Sequence, residues 1–264
     1  MKNQYIELYE QCRPLIREHS ADVMNNARDI AFEDFKRLGI PSKKIERYKY
    51  TDMKKLFEPD YGLNLKRLDI PVNPYNAFRC DVPNLSTSLY FVVNDAFYAK
   101  NSPKAQLPEG VIIGSLKEVA ENNPELVGMY YAKLAKTSDD GITALNTMLA
   151  QDGLLVYVPK NVRVERAVQV INILRSDVDL MVNRRVLIVV EKGAEIKLLF
   201  CDHAADDRHF LATQVIEAFV EENASLDLYC MEETHEKNVR VSNLYIDQKA
   251  NSRVNHNIIT LHNG

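Results

Sequence analysis

A mainly β chain with an α-helical N-terminal region is the fold class these 264 residues predict. Three observations lead there. The first 56 residues place apolar side chains at steps of three and four, the spacing of a helix packed along one side. From residue 151 that spacing fades, and short runs rich in Val, Ile, Leu and Tyr alternate with polar turns, as strands do. Within this second half one strand-turn-strand shape recurs, and a recurring unit of that length marks a stacked array.

The helical region covers residues 1–56. Ser20 is placed to cap a helix carrying Val23, Ala27, Ile30, Ala31, Phe35 and Leu38 on one face. Gly39 stands where a helix C-terminal glycine belongs, and Pro41 blocks continuation. An earlier helix carries Ile6, Leu8, Tyr9 and Ile16, with an interruption or kink expected near Pro14.

Residues 57–150 read as a mixed α/β connector. Pro59, Gly62, Pro71 and Pro74 punctuate a loop-rich start. Leu89, Phe91 and Val93 alternate as in a strand, and Val111-Ile112-Ile113 suggests another. Ser115 followed by Glu118 fits a capping box opening a helix towards Ala135, with Pro124 dividing it into two shorter ones.

Residues 151–264 carry the repeat. Val158-Pro-Lys-Asn-Val162, Val190-Glu-Lys-Gly-Ala194, Val220-Glu-Glu-Asn-Ala224 and Ile246-Asp-Gln-Lys-Ala250 share one shape: an apolar strand end, a polar turn, then a small or β-branched residue. The last residues of these units lie 32, 30 and 26 positions apart. A β-helix with two strands per turn accounts for this, since each turn buries its apolar face only by stacking on a neighbour. An antiparallel sandwich with evenly spaced hairpins accounts for it equally. Ile258-Ile259-Thr260-Leu261 reads as a further strand with no polar cap after it. A solenoid truncated at its C-terminal end is therefore expected, or one whose open edge a partner covers.

Composition narrows the function classes. With 46% hydrophobic and 27% charged residues the chain is ordinary globular material. A net charge of −4 argues against a nucleic-acid binder. Neither a signal peptide nor a run of about 18 apolar residues is present, so a cytoplasmic location without membrane insertion is expected. Cys12, Cys80, Cys201 and Cys230 lie far apart with no CxxC pair. They are expected to be free thiols, not a zinc site.

Several segments resemble the SufB/SufD family of iron–sulfur cluster assembly proteins, and its SufD branch in particular. Ile40-Pro-Ser-Lys-Lys-Ile-Glu46-Arg-Tyr48-Lys49-Tyr50-Thr51 is similar to that branch's early signature, with Tyr48 where Trp is usual. Ala144-Leu145-Asn146, Asp152-Gly153 and Val156-Tyr-Val158-Pro159 look like the entry to the family's core domain. Arg185-Val-Leu-Ile-Val-Val-Glu-Lys-Gly193-Ala194 resembles the repeat that follows. The resemblance implies a right-handed parallel β-helix behind a helical region and favours the solenoid over the sandwich. It also implies a non-catalytic scaffold subunit, working with a SufB-like paralogue and a SufC-type ABC ATPase in cluster assembly and iron acquisition. No tightly bound cofactor is expected; iron or an Fe–S cluster would be held transiently at the level of the complex. The chain has no GxxxxGK[ST] phosphate loop, in keeping with that role. The family's partner-contacting C-terminal part has no counterpart in these residues, so those partners would bind through the missing part, and a homodimer is a further arrangement. The alternatives are a SufB-like paralogue holding the nascent cluster, a carbohydrate-active β-helix enzyme, and a hexapeptide-repeat acyltransferase. The absence of a signal peptide and of a strict short period count against the last two.

Four residues are candidate metal ligands. Cys201 and His203, with Asp202, Asp206, Asp207 and His209, form the densest cluster of ligand types. The expectation there is a solvated loop, because ligands on a mobile loop rarely fix a geometry. Cys230 and His256 are each sixth after a repeat alanine, as Phe200 is, which would stack all three and bury a thiol beside an imidazole. A core cysteine and a backbone-bonded histidine are the expected reading. His235, among Glu232, Glu233 and Glu236, reads as a charged loop tip. Tyr48, Lys49 and Tyr50 are expected to pack the helical region onto the next segment, with Lys49 reaching solvent; a partner-contact patch is the other reading.

Overall fold

The computed structural model describes residues 2–71, 73–74, 88–100 and 107–261, so Cys80 lies outside the described residues. Two sheets face each other. One has the strand order β11-β9-β7-β5-β1-β2 and the other β10-β8-β6-β4-β3. In the first, β1 (Ser88–Val93), β5 (Val168–Leu174), β7 (Glu195–Ala204), β9 (Ser225–Glu233) and β11 (Arg253–Thr260) run parallel. In the second, β4 (Leu154–Val158), β6 (Leu180–Val190), β8 (Phe210–Val220) and β10 (Asn238–Gln248) do the same. The chain alternates between the sheets, which makes a parallel β-solenoid of about four turns and excludes the antiparallel sandwich. Antiparallel pairing is confined, among the described residues, to β2 (Ala96–Phe97) on β1 and β3 (Ile112–Ser115) on β4. These two short strands flank the upstream end. The sheet thus begins with β1, upstream of residue 151, because Leu89, Phe91 and Val93 lie on a strand paired with β5.

The turns are built alike. Pro159-Lys-Asn-Val162, Glu191-Lys-Gly-Ala194, Glu221-Glu-Asn-Ala224 and Lys249-Ala-Asn-Ser252 each close with a hydrogen bond from the fourth N–H to the first carbonyl. The third residue has positive φ in every case: Asn161, Gly193, Asn223 and Asn251. Asparagine and glycine are the residues that adopt this conformation at least cost. The last unit is therefore shifted by two from the Ile246–Ala250 alignment that the sequence suggested. Ser252, not Ala250, is the equivalent of Ala224, as the pairing of Ser225 with Arg253 requires.

Between the sheets lies an apolar core in which Val156, Ile188 and Ile216 meet Val170, Leu198 and Leu228. The five-stranded sheet is covered on its other face as well, by helices. These are α1 (Lys2–Glu18), α2 (Asp22–Leu38), α3 (Met53–Phe57), α4 (Leu116–Asn122), α5 (Pro124–Tyr130) and α6 (Gly141–Leu149). Burial on both faces explains why β6 and β8 lack a period of two.

Several helical expectations change in detail. α1 passes through Pro14 without interruption. Pro14 and Glu10 are exposed, so the carbonyl left without a donor meets water. Ala21, not Ser20, is the N-cap of α2. Ser20 Oγ instead accepts from Arg28 Nη2 at 2.6 Å. The buried stripe of α2 is Met24, Arg28, Ala31, Phe32 and Phe35, whereas Ile30 is 66% exposed. Arg28 takes the inner position because its guanidinium caps α6. It donates to the carbonyls of Met148 at 2.9 Å and Ala150 at 2.5 Å, which a helix C-terminus leaves unpaired. Ser115 does cap α4, accepting from Glu118 N–H at 3.0 Å, and Pro124 opens α5 as a separate helix.

Candidate functional site

Side chains of the six-stranded sheet alternate between the solenoid interior and its outer face, and this separates the predicted site residues. Cys230 joins the core between the sheets, with Phe200 beside it in register. Cys201, one residue on from Phe200, faces the other way and packs with Phe91, Ile171 and Ile173. The two thiols thus sit on opposite faces. Cys201-Asp202-His203 is part of β7, not a loop, and Cys201 and Asp202 are buried. Parallel neighbours on both sides hold it there, because Ile171 and Met231 are its register partners. Only 205–209 form the turn expected here, and its ligand-type side chains disperse. Asp206 accepts from Ser176 N–H at 2.8 Å, Asp207 from Lys237 at 2.8 Å, and His209 meets Asp179 at 3.2 Å. His203 lies 3.8 Å from Glu233.

Cys230 Sγ lies 3.9 Å from His256 Nε2, so the thiol and imidazole do meet. They are not stacked in register, however. Cys230 pairs with Ile258, and His256 with Leu228. The expected burial of His256 fails too: it is exposed, on a strand that no other described strand covers. Burial pushes the Cys230 thiol up to about 11, against the pull of Arg240. Partial burial, and then Arg240, holds His256 below its ordinary value. Both groups are neutral near pH 7, which gives a weak contact between neutral groups, not a thiolate–imidazolium pair. Among the described residues no group of three or more His, Cys, Asp or Glu side chains could hold a metal ion.

Between the sheets lies a charged cluster of which the sequence singled out only Asp202. Asp202 accepts from Arg184 Nη1 and, at 2.5 Å, from Arg240 Nη1; Arg240 Nη2 also reaches Glu232. Arg184 Nε donates to the Asn94 carbonyl at 2.9 Å. These charges line a cavity of about 300 Å³ with Asn238, Ser242 and Thr260. Burial lowers the pKa of Arg184, and Asp202 opposes that shift. Two cations facing two carboxylates leave the cluster electrically balanced. A signal for it was present, since Arg184 and Arg185 interrupt an apolar strand, and charges so placed are buried only when paired.

At the helical end, Tyr48 is buried and donates to Asp140 at 2.6 Å. Asp140 caps α6 by accepting from Thr143 N–H at 2.8 Å, and Asn243 of β10 donates to it at 3.1 Å. Tyr48 therefore packs as expected, whereas Tyr50 stands 89% exposed.

No helix of the described residues is long and apolar enough to cross a membrane. Comparison with known proteins places the helices and sheets in one family. Residues 1–170 match the SufBD protein N-terminal region, and residues 172–264 match the SufBD core domain of the SUF system for FeS cluster assembly. A SufBD family iron–sulfur cluster assembly protein of Arabidopsis thaliana is 27% identical over 161 residues, 61% of this chain and 33% of the relative. One from Synechocystis is 29% identical over 119 residues, 45% of this chain and 25% of the relative. The SufD protein of Bacillus subtilis is 34% identical over 118 residues, 44% of this chain and 26% of the relative. The chain thus spans about a quarter to a third of the curated relatives it matches. With both halves matched in order, and with a parallel solenoid consistent with the family's core β-helix, this chain belongs to the SufBD family of iron–sulfur cluster assembly proteins.

Proposed function

We propose that the protein acts as a SufD-type, non-catalytic scaffold subunit of a SUF complex. In this reading it works in the cytoplasm beside a SufB-like paralogue and a SufC-type ATPase, and iron or a nascent cluster is cargo of the complex. The observation that carries the reading is the family match over both halves, joined by a SufD-named relative at 34% identity. The interior chemistry supports it. Among the described residues between the sheets, Asp202 and Glu232 are engaged by Arg184 and Arg240. Cys230, whose thiol faces the same interior, is shifted away from the thiolate that binds metals.

Two measurements test this. The complete gene product, isolated from its host with its partners, should bring an ABC-type ATPase and a SufB-like paralogue with it. Anaerobic reconstitution of the purified protein alone with iron and sulfide should leave no strong visible charge-transfer absorption. A cluster spectrum from the isolated protein would favour the SufB-like alternative, and recovery of neither partner would remove the scaffold assignment.

A further inference from the structure

Segment 43–55 concentrates positive charge in a chain whose net charge is −4. It carries Lys43, Lys44, Arg47, Lys49, Lys54 and Lys55 against Glu46 and Asp52, and all eight are exposed. Lys43 pairs with Asp52 at 3.3 Å, Lys49 with Glu46 at 3.1 Å, and Arg47 reaches Asp140 at 3.6 Å. Among the described residues Lys44, Lys54 and Lys55 form no ion pair, although the Lys55 charge is felt by Asp52. Beyond Phe57 the sign reverses, with Glu58 and Asp60.

The segment is also firmly seated. Tyr48 is tied to Asp140, Met53 and Phe57 are buried, and Tyr5 Oη donates to the Phe57 carbonyl at 3.2 Å. Consecutive turns link Ile45 to Tyr48 at 2.9 Å and Tyr48 to Thr51 at 3.1 Å. From this base Tyr50 projects 89% exposed and Ile45 50% exposed, with Lys49 Nζ 5.1 Å from the centre of the Tyr50 ring. A solvated charge run has no need of an aromatic and an aliphatic side chain held outwards on an anchored turn. An interface does: an aromatic centre within a polar rim is its usual anatomy.

The sign of the rim selects the partner. Outside this segment the chain is acidic, which repels extended polyanions such as nucleic acid or an anionic membrane. A short acidic protein segment meets only the local field. We propose that the 43–55 turn docks an acidic segment of another protein, with Tyr50 as the anchor and Lys44, Lys54 and Lys55 as the charged rim. The inference rests on this surface and not on the scaffold role.

The test uses the complete protein in its host, with Tyr50→p-benzoylphenylalanine as a photo-crosslinker and Arg166→p-benzoylphenylalanine as the control position. Adducts are mapped by mass spectrometry, and the captured segment is resynthesised as a labelled peptide for binding measurements. The expected adduct is a protein segment of net negative charge, absent from the control. Its peptide should bind about tenfold more weakly to Tyr50→Ala, and as much more weakly when Lys44→Glu, Lys54→Glu and Lys55→Glu are combined. All four side chains are exposed, so circular dichroism should show unchanged folding. No adduct beyond the control, an adduct with nucleic acid or lipid, or binding indifferent to the charge reversals would each overturn the proposal.

Discussion

Arg185 on β6 and Glu217 on β8 form an ion pair 2.6 Å long, with both side chains closed off from solvent. Glu217 also accepts the backbone N–H groups of Ala132, Leu134 and Ala135, at 2.9, 2.9 and 3.0 Å. The pair therefore pins the link between α5 and α6 to the outer face of the five-stranded sheet. The Arg185 guanidinium stacks on Tyr131, 4.8 Å from the ring centre. Removing one partner strands a buried charge, so Glu217→Ala should cost about 3–5 kcal/mol in chemical denaturation. Replacing both, as Arg185→Met with Glu217→Leu, relieves the stranded charge but leaves three N–H groups without acceptors. The double variant should be more stable than Glu217→Ala and less stable than the parent. Equal stability of all three proteins would show that the pair does not hold the linker.

The turn ladder makes a second, more local prediction. Gly193 has φ +70°, and a Cβ there would come within 2.6 Å of Asn161 Oδ1 in the turn stacked beside it. Gly193→Ala should therefore destabilise by about 1–3 kcal/mol. Asn223, at φ 59°, tolerates Gly, so Asn223→Gly should shift the thermal midpoint far less than Asn223→Val, whose branched side chain resists this conformation. Equal midpoints for the two Asn223 variants would count against the conformational argument.

These turns also mark how far the sequence could be read. The first three were legible because Asn or Gly precedes a small or β-branched residue directly after an apolar strand. The fourth slipped by two because Ile246-Asp-Gln-Lys-Ala250 imitates the shape one pleat early, and only pairing between distant strands sets the register. A slip of two keeps the same face, so His256 still pairs with the inward-facing Leu228; it is exposed because no other described strand covers β11. The helical face of α2 was misjudged for a related reason. Arg28 reads as a surface residue until the open carbonyls of α6, over a hundred residues away, supply its partners. Cys201 and His203 looked loop-like because charges crowd the next few residues, whereas their strand is fixed by parallel neighbours that local pattern cannot reveal.

Cys230 yields a prediction in pH. Its folded-state pKa, about 11, lies above the ordinary thiol value of 9.0, so between these the folded protein retains a proton that the unfolded chain loses. Stability contributed by the buried neutral thiol is then complete below pH 9 and declines as pH rises towards 11. Tyr5, Tyr48 and Tyr130 are raised as well, first of all by burial, and act in the same direction from a higher start. Comparison with Cys230→Ala isolates the thiol: the variant should lose less stability than the parent between pH 9 and 11. Alkylation by iodoacetamide at pH 8 should also be much slower at Cys230 than at the half-buried Cys12. Rapid modification of Cys230 at pH 8 would contradict its placement in the core.

The last prediction concerns β11. Among the described strands it pairs only with β9, and Ile258 and Ile259 are 56% and 50% exposed on it. Leu261 follows, also exposed, while its N–H still donates to the Glu232 carbonyl at 3.0 Å. An unpaired strand edge beside exposed aliphatic side chains is a template for pairing with another chain. In solution the 264-residue chain should therefore self-associate as concentration rises, and light scattering should follow it. Charge on such an edge opposes pairing, so Ile258→Lys with Ile259→Lys should return the chain to a monomer at a cost of no more than about 1 kcal/mol in unfolding free energy, as both side chains are already largely in water. A strict monomer at all concentrations, with slow amide exchange through Leu261, would show instead that this edge is closed by the chain's own structure.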